Sequence, residues 1–165
     1  MSRERSTYEA RQPILVALTA AVTLTSVAAA GPDAARQRVT ITSQAAGTTH
    51  ASPFVLTPLQ VGALKRDSGT LTAGLPPERI VMRDGQSVAI YDDVATLKGK
   101  RGTLVIRYRA EYVDAGNGYH VGTGTWKVVR GTGQYAQITG GGRSGNVSLD
   151  RGPWSSRDEG YLTLR

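Results

Sequence analysis

Residues 103–114 read TLVIRYRAEYVD, and the fold turns on how that stretch is read. Leu104, Ile106, Tyr108, Ala110 and Tyr112 share one parity, while Arg107, Arg109 and Glu111 share the other. Successive side chains of a strand point to opposite faces, so the pattern describes a strand with an apolar inner face and a charged outer one. Two phenols stand on the inner face. A phenol is both an apolar wall and a polar handle, so Tyr108 and Tyr112 fit the lining of a ligand cavity, with ordinary core packing as the other reading.

The segments on either side extend the same pattern. Ala115-Gly116-Asn117-Gly118 is a turn signal leading into 119–130, where Gly122, Gly124, Trp126 and Val128 share a parity. Glycines on the inner face let a strand coil sharply or let a large neighbour lie against the backbone, as ring closure requires. Towards the amino terminus, 80–83 and 87–91 flank Asp84-Gly85, a dipeptide suited to a type I′ hairpin turn. Val39, Ile41 and Ser43 alternate with Thr40 and Thr42, 54–59 is an apolar run, and Thr70-Leu71-Thr72 is a short strand before a Gly-Pro loop at 74–77. Towards the carboxyl terminus, 134–139 reads as a short strand, Gly140-Gly141-Gly142 as a loop or bulge, and 146–149 and 161–165 as strands. No apolar pattern after residue 30 holds a 3.6-residue period over three turns. The expectation is an all-β, antiparallel fold, a closed barrel or a sandwich.

Residues 1–12 are polar with three arginines, residues 14–30 carry no charge, and Ala28-Ala29-Ala30 supplies the small residues that signal peptidase prefers. That layout predicts a secretory signal peptide over 1–30, a short leader over 31–37 and one barrel domain over 38–165. The apolar stretch falls short of the roughly 20 residues that span a bilayer, so no stable membrane anchor is expected once the signal is cleaved. The expected location is secreted or otherwise outside the cytoplasm, in the cell envelope. The chain has no cysteine, so an exported fold must stand on its core and backbone ladder without disulfides.

Hydrophobic residues make up 39% and charged residues 20%, which is ordinary globular usage. Net charge is +7, and removing 1–30, with three of the 20 basic and two of the 13 acidic residues, leaves +6. Such a charge favours anionic partners, and a structural module that binds anionic envelope polymers is one reading. Nucleic acid is disfavoured: the densest basic run is Lys98-Gly99-Lys100-Arg101, and basic and aromatic residues do not alternate.

The segment 124–140, GTWKVVRGTGQYAQITG, resembles the glycine-rich strand pair of the allene oxide cyclase and dirigent β-barrel superfamily. There a hydrophobic strand runs into Gly-Thr-Gly or Gly-Ser-Gly, then an aromatic, then another glycine, and the strand 102–107 also looks like that family's. The nearest likeness is to small exported bacterial members of unassigned activity. The resemblance implies an eight-stranded barrel with an apolar cavity, in a family whose members isomerise, cyclise or steer reactive hydrophobic molecules. It also implies that a homo-oligomer is one available state. None of that family's catalytic side chains maps onto a position here, so the container carries over and the activity does not.

Catalytic constellations are sparse. His50 and His120 lie in unrelated segments without metal-ligand spacing, and read as exposed strand-end residues. Asp92 and Asp93 would point to opposite faces of a strand and cannot share a proton, so a turn or edge role is expected. The Gly-Thr-Gly repeats lack a following Lys-Ser/Thr and helix start, so they are not phosphate loops. No metal and no cofactor is called for. The sequence therefore favours binding of a small hydrophobic ligand, in a cavity lined by Ile106, Tyr108, Tyr112 and Trp126, over catalysis. An isomerase or cyclase that works by enclosing its substrate, with an inward tyrosine as proton relay, is the alternative.

Overall fold

A computed structural model describes residues 35–46, 51–73, 77, 79–150 and 152–165. The signal peptide expected over 1–30 and His50 lie outside them. Nine strands form the described fold: β1 (Arg36–Ala45), β2 (Ala51–Pro58), β3 (Asp67–Thr72), β4 (Arg79–Arg83), β5 (Gln86–Gly99), β6 (Thr103–Gly116), β7 (Tyr119–Gly131), β8 (Ile138–Leu149) and β9 (Trp154–Leu164). All pairings are antiparallel, in the order β3-β2-β1-β9-β8-β7-β6-β5-β4.

A further pairing closes the sheet. β3 pairs β5 from Gly69 opposite Gly99 to Thr72 opposite Thr96, so eight strands form a ring and β4 is the ninth. β5 can serve both partners because it is 14 residues long, roughly 45 Å of strand. One stretch of its free edge takes β3, and the stretch from Gln86 to Ile90 takes β4. The β4–β5 hairpin turns at Asp84 (φ 50°) and Gly85 (φ 78°), the positive-φ pair that a type I′ turn demands.

Register fixes which side chains face inward. Leu104, Ile106, Tyr108, Ala110 and Tyr112 stand opposite Leu97, Ala95, Asp93, Tyr91 and Ala89 of β5. The same parity continues around the ring through Trp126, Gly142, Gly160 and Val39. One end of the interior is filled by a core of Val39, Ile41, Phe54, Leu56, Leu97, Leu104, Ile106, Trp126 and Leu162, each at most 2% exposed. A register shift between Val105 and Ile106 in the β6–β7 ladder marks a bulge at this end, a device that bends the sheet.

That end is latched by Asp67, only 3% exposed. Its carboxylate accepts the Tyr135 hydroxyl at 2.9 Å and the backbone N–H groups of Ser68 (2.8 Å), Lys100 (3.0 Å) and Arg101 (3.3 Å). One side chain thus ties together the β3–β5 seam, the β5–β6 loop and the link between β7 and β8. A buried carboxylate is tolerated when donors replace its lost water, and here four do.

Three expectations about the carboxyl-terminal half are corrected. Residues 134–139 are not a strand: Gly133–Tyr135 is a single 3-10 turn, with Gly133 at φ 61°, that brings Tyr135 to Asp67, and strand begins at Ile138. Gly140-Gly141-Gly142 is not a loop but lies within β8, held by ladders to both β7 and β9. The last strand begins at Trp154 rather than Tyr161, because WSSRDEG pairs along both β8 and β1.

Candidate functional site

The other end of the ring is a cavity of about 690 Å³. That lies within the range of small-molecule pockets. Tyr108, Ala110, Tyr112 and Asp114 of β6 form one wall, with Ala89, Tyr91 and Asp93 of β5 beside them; Trp154 and Ser156 of β9 and Asn146 of β8 face them. One of the two strands that supply the aromatic wall, β6, is the one whose alternation is clearest in the sequence.

Tyr91 and Tyr112 meet edge to face, with ring centroids 4.9 Å apart and planes at 62°. The Tyr112 ring lies directly on the backbone of Gly122, its register partner on β7. A Cβ placed there would stand 2.5 Å from the ring, so glycine at 122 is what seats this phenol. Burial pushes the Tyr112 hydroxyl pKa up, with the neighbouring Tyr91 and Asp158 adding to it. Tyr108 is raised well above the ordinary tyrosine value, by burial first and then by Asp158. Both phenols are therefore neutral across the physiological range and act as hydrogen-bonding groups, not as bases.

Beneath the aromatic wall sits Asp158 of β9, with no exposed surface. Its Oδ2 accepts the Tyr108 hydroxyl at 2.9 Å, and its Oδ1 has no hydrogen-bond partner. Burial pushes its carboxyl up to about 6, and the nearby Ser144 and Tyr108 hydroxyls, which favour the charged form, recover only part of that. The contrast with Asp67 is chemical. Asp67 is saturated with donors, whereas Asp158 keeps one oxygen without a hydrogen bond and is joined to the cavity wall through Tyr108. Perturbed groups in such positions are functional candidates on physical grounds.

Of the residues singled out from the sequence, Tyr108 and Tyr112 line the cavity. Ile106 (0% exposed) and Trp126 (2%) belong to the core cluster, with the Trp126 indole N–H left without an acceptor. Asp92 and Asp93 do point to opposite faces, and they lie mid-strand on the stretch of the β5 edge between the parts that pair β4 and β3. Asp92 faces outward and is held below the usual carboxylate range by its hydrogen bond to Arg107, while Asp93 faces the cavity. Glu111 is outward as its parity requires, paired to Arg83 at 2.6 Å. His120 is half-buried at the cavity mouth, its Nε2 2.5 Å from Asp150.

Asp158 was missed because its segment, WSSRDEG, has no apolar alternation. Counting back by twos from the buried Leu162 gives Gly160, Asp158, Ser156 and Trp154, and that count was the signal available. Compared with known proteins, the chain matches no family model, no curated protein and no solved structure.

Proposed function

We propose that this chain is an exported, small-molecule-binding β-barrel of the allene oxide cyclase and dirigent type. It takes one mostly apolar ligand into the open end of its ring and has no chemistry of its own to perform on it. The observation that carries this reading is the cavity of about 690 Å³, lined by Tyr91, Tyr108, Tyr112 and Trp154 with Asp93, Asn146 and Ser156 among them. Apolar walls supply affinity through burial, at roughly 25 cal/mol per Å² removed from water, and a few converging polar groups set orientation. The polar-then-apolar layout of residues 1–30 supports action outside the cytoplasm.

The Tyr108–Asp158 pair favours one second reading, an isomerase or cyclase. A carboxyl with a pKa of about 6, reached through a phenol, suits a proton relay acting on an enclosed substrate. The experiment is uptake of N-phenyl-1-naphthylamine, whose fluorescence rises in apolar surroundings, by the full chain and by Ala89→Trp, which fills the cavity beside Tyr112. Saturable one-to-one uptake that Ala89→Trp abolishes is the expected result. No uptake, or uptake that Ala89→Trp leaves intact, would remove the binding reading.

A further inference from the structure

We infer that the outer face of strands β1, β9, β8 and β7 holds a second binding surface, for an extended acidic glycan, a sugar chain that carries carboxylates. This goes beyond the cavity reading and stands apart from it, because the surface lies on the other side of the sheet.

Register lines up three cations there. Arg157 of β9 stands opposite Gly145 of β8, two residues from Arg143, and Arg143 is two strands over in register from Thr40 and opposite Thr125 of β7, two residues from Lys127. All three share the outward parity, away from buried Asp158, Ser144 and Trp126, and all three are exposed. Diagonal neighbours on adjacent strands lie about 7–8 Å apart, so the three form an oblique line of positive charge. The acid on this face is Glu159, and its carboxylate is shared by Arg157 at 2.7 Å and Arg38 at 3.4 Å. Arg143 and Lys127 have no ion-pair partner among the described residues.

The line starts at a groove. A depression of about 740 Å³ on this face is lined by Arg157 and its register partner Gly145. For a Cβ at Gly145 the nearest described atom beyond its chain neighbours is the Arg157 carbonyl oxygen, at 3.9 Å, so this glycine keeps the groove open and seats no neighbour. Thr42, Thr123, Ser155 and Gln44 bring hydroxyls and an amide to the groove, and Val121 and Val147 bring apolar surface. A sugar ring carries hydroxyls at its rim and C–H groups on its faces, and so matches both.

Charge complementarity selects an acidic chain. At +7 the whole protein draws polyanions by its long-range field, and the diagonal gives them a place to settle. Single-stranded nucleic acid would want open aromatic rings on which to stack its bases. Tyr161, in register with Gly141 and through it with Lys127, already has the Arg36 guanidinium 3.9 Å over its ring.

The test is calorimetric titration of the full chain, at low and at physiological salt, with hexagalacturonate, neutral maltohexaose and the peptide hexaglutamate. Hexagalacturonate is expected to bind at least tenfold more tightly than maltohexaose at low salt, with the margin narrowing as salt rises. Arg143→Ser and Lys127→Ser are each expected to weaken it threefold or more. Gly145→Leu, which fills the groove with every charge in place, is expected to do the same. Lys98→Ser removes an exposed cation from β5 and should change affinity less than twofold. Hexagalacturonate binding no tighter than maltohexaose, no binding of either, or an equal effect of Lys98→Ser would overturn the surface. Hexaglutamate binding as tightly as hexagalacturonate would overturn the glycan assignment. None of these variants should alter uptake of N-phenyl-1-naphthylamine, so the cavity reading stands or falls separately.

Discussion

The phenol of Tyr108, on β6, donates a 2.9 Å hydrogen bond to Oδ2 of Asp158, on β9, and so links two strands that are not neighbours in the ring. Asp158 has its folded pKa raised to about 6 from an ordinary 3.8. The folded protein therefore holds this proton more tightly than the unfolded chain does. The resulting stabilisation is full below pH 3.8 and is lost as pH rises through 6. Between pH 8 and pH 5 wild type should gain about 1 kcal/mol relative to Asp158→Asn, which has no proton to take up. The outward carboxylates Asp92, Glu111 and Glu159 have lowered pKa values, so their contributions are lost only at more acidic pH. Urea unfolding of both proteins at the two pH values measures the difference; equal shifts would mean that Asp158 is solvated.

Tyr108→Phe removes the hydroxyl that donates to Oδ2 of that carboxylate and leaves its ring in place. The expected loss is about 2 kcal/mol at pH 8, where Asp158 is charged, and visibly less at pH 5. A loss independent of pH would reduce Tyr108 to packing.

Gly122→Ala puts a methyl group 2.5 Å from the Tyr112 ring. The ring must then swing into the cavity, so probe affinity should fall at least tenfold for a stability cost of about 1–3 kcal/mol. Near-ultraviolet circular dichroism should change as well, because the edge-to-face contact of Tyr112 with Tyr91 is lost.

At the closed end, Asp67→Ala takes an acceptor from three half-buried N–H donors, of which Lys100 keeps its 3.3 Å bond to the Ser68 carbonyl, and from the Tyr135 hydroxyl, and should cost about 3 kcal/mol. Tyr135→Phe removes a single bond, for about 1–2 kcal/mol. Neither should alter probe affinity. Thermal unfolding paired with dye uptake checks both statements.

The inner face of β6 was legible because large apolar residues alternate with arginines, which is the strongest form of a period-two signal. The Asp84-Gly85 hairpin was legible because turn chemistry there is local. What stayed hidden depends on pairing. Gly140-Gly141-Gly142 has poor strand propensity and is strand only because β7 and β9 flank it on both edges. β5 looked finished at Tyr91, since Asp92 and Asp93 interrupt the apolar run; opposite β6, however, the first meets Arg109 and the second Tyr108, and the ladder continues to Gly99. Asp158 is masked between Arg157 and Glu159, two outward charges that form a pair of their own. A segment whose inward side chains are Trp, Ser, Asp and Gly looks like surface, yet Trp154 and Ser156 line the cavity and Asp158 is fully buried.

The most direct measurement is a titration of full-length protein, carrying ring-labelled tyrosine, with N-phenyl-1-naphthylamine, followed by NMR. With the ligand seated in the ring, the signals of Tyr91, Tyr108 and Tyr112 shift together and saturate at one equivalent, while exposed Tyr119 and Tyr161 stay still. Shifts confined to those two outer tyrosines, or no saturable change at all, would contradict a ligand cavity in this protein.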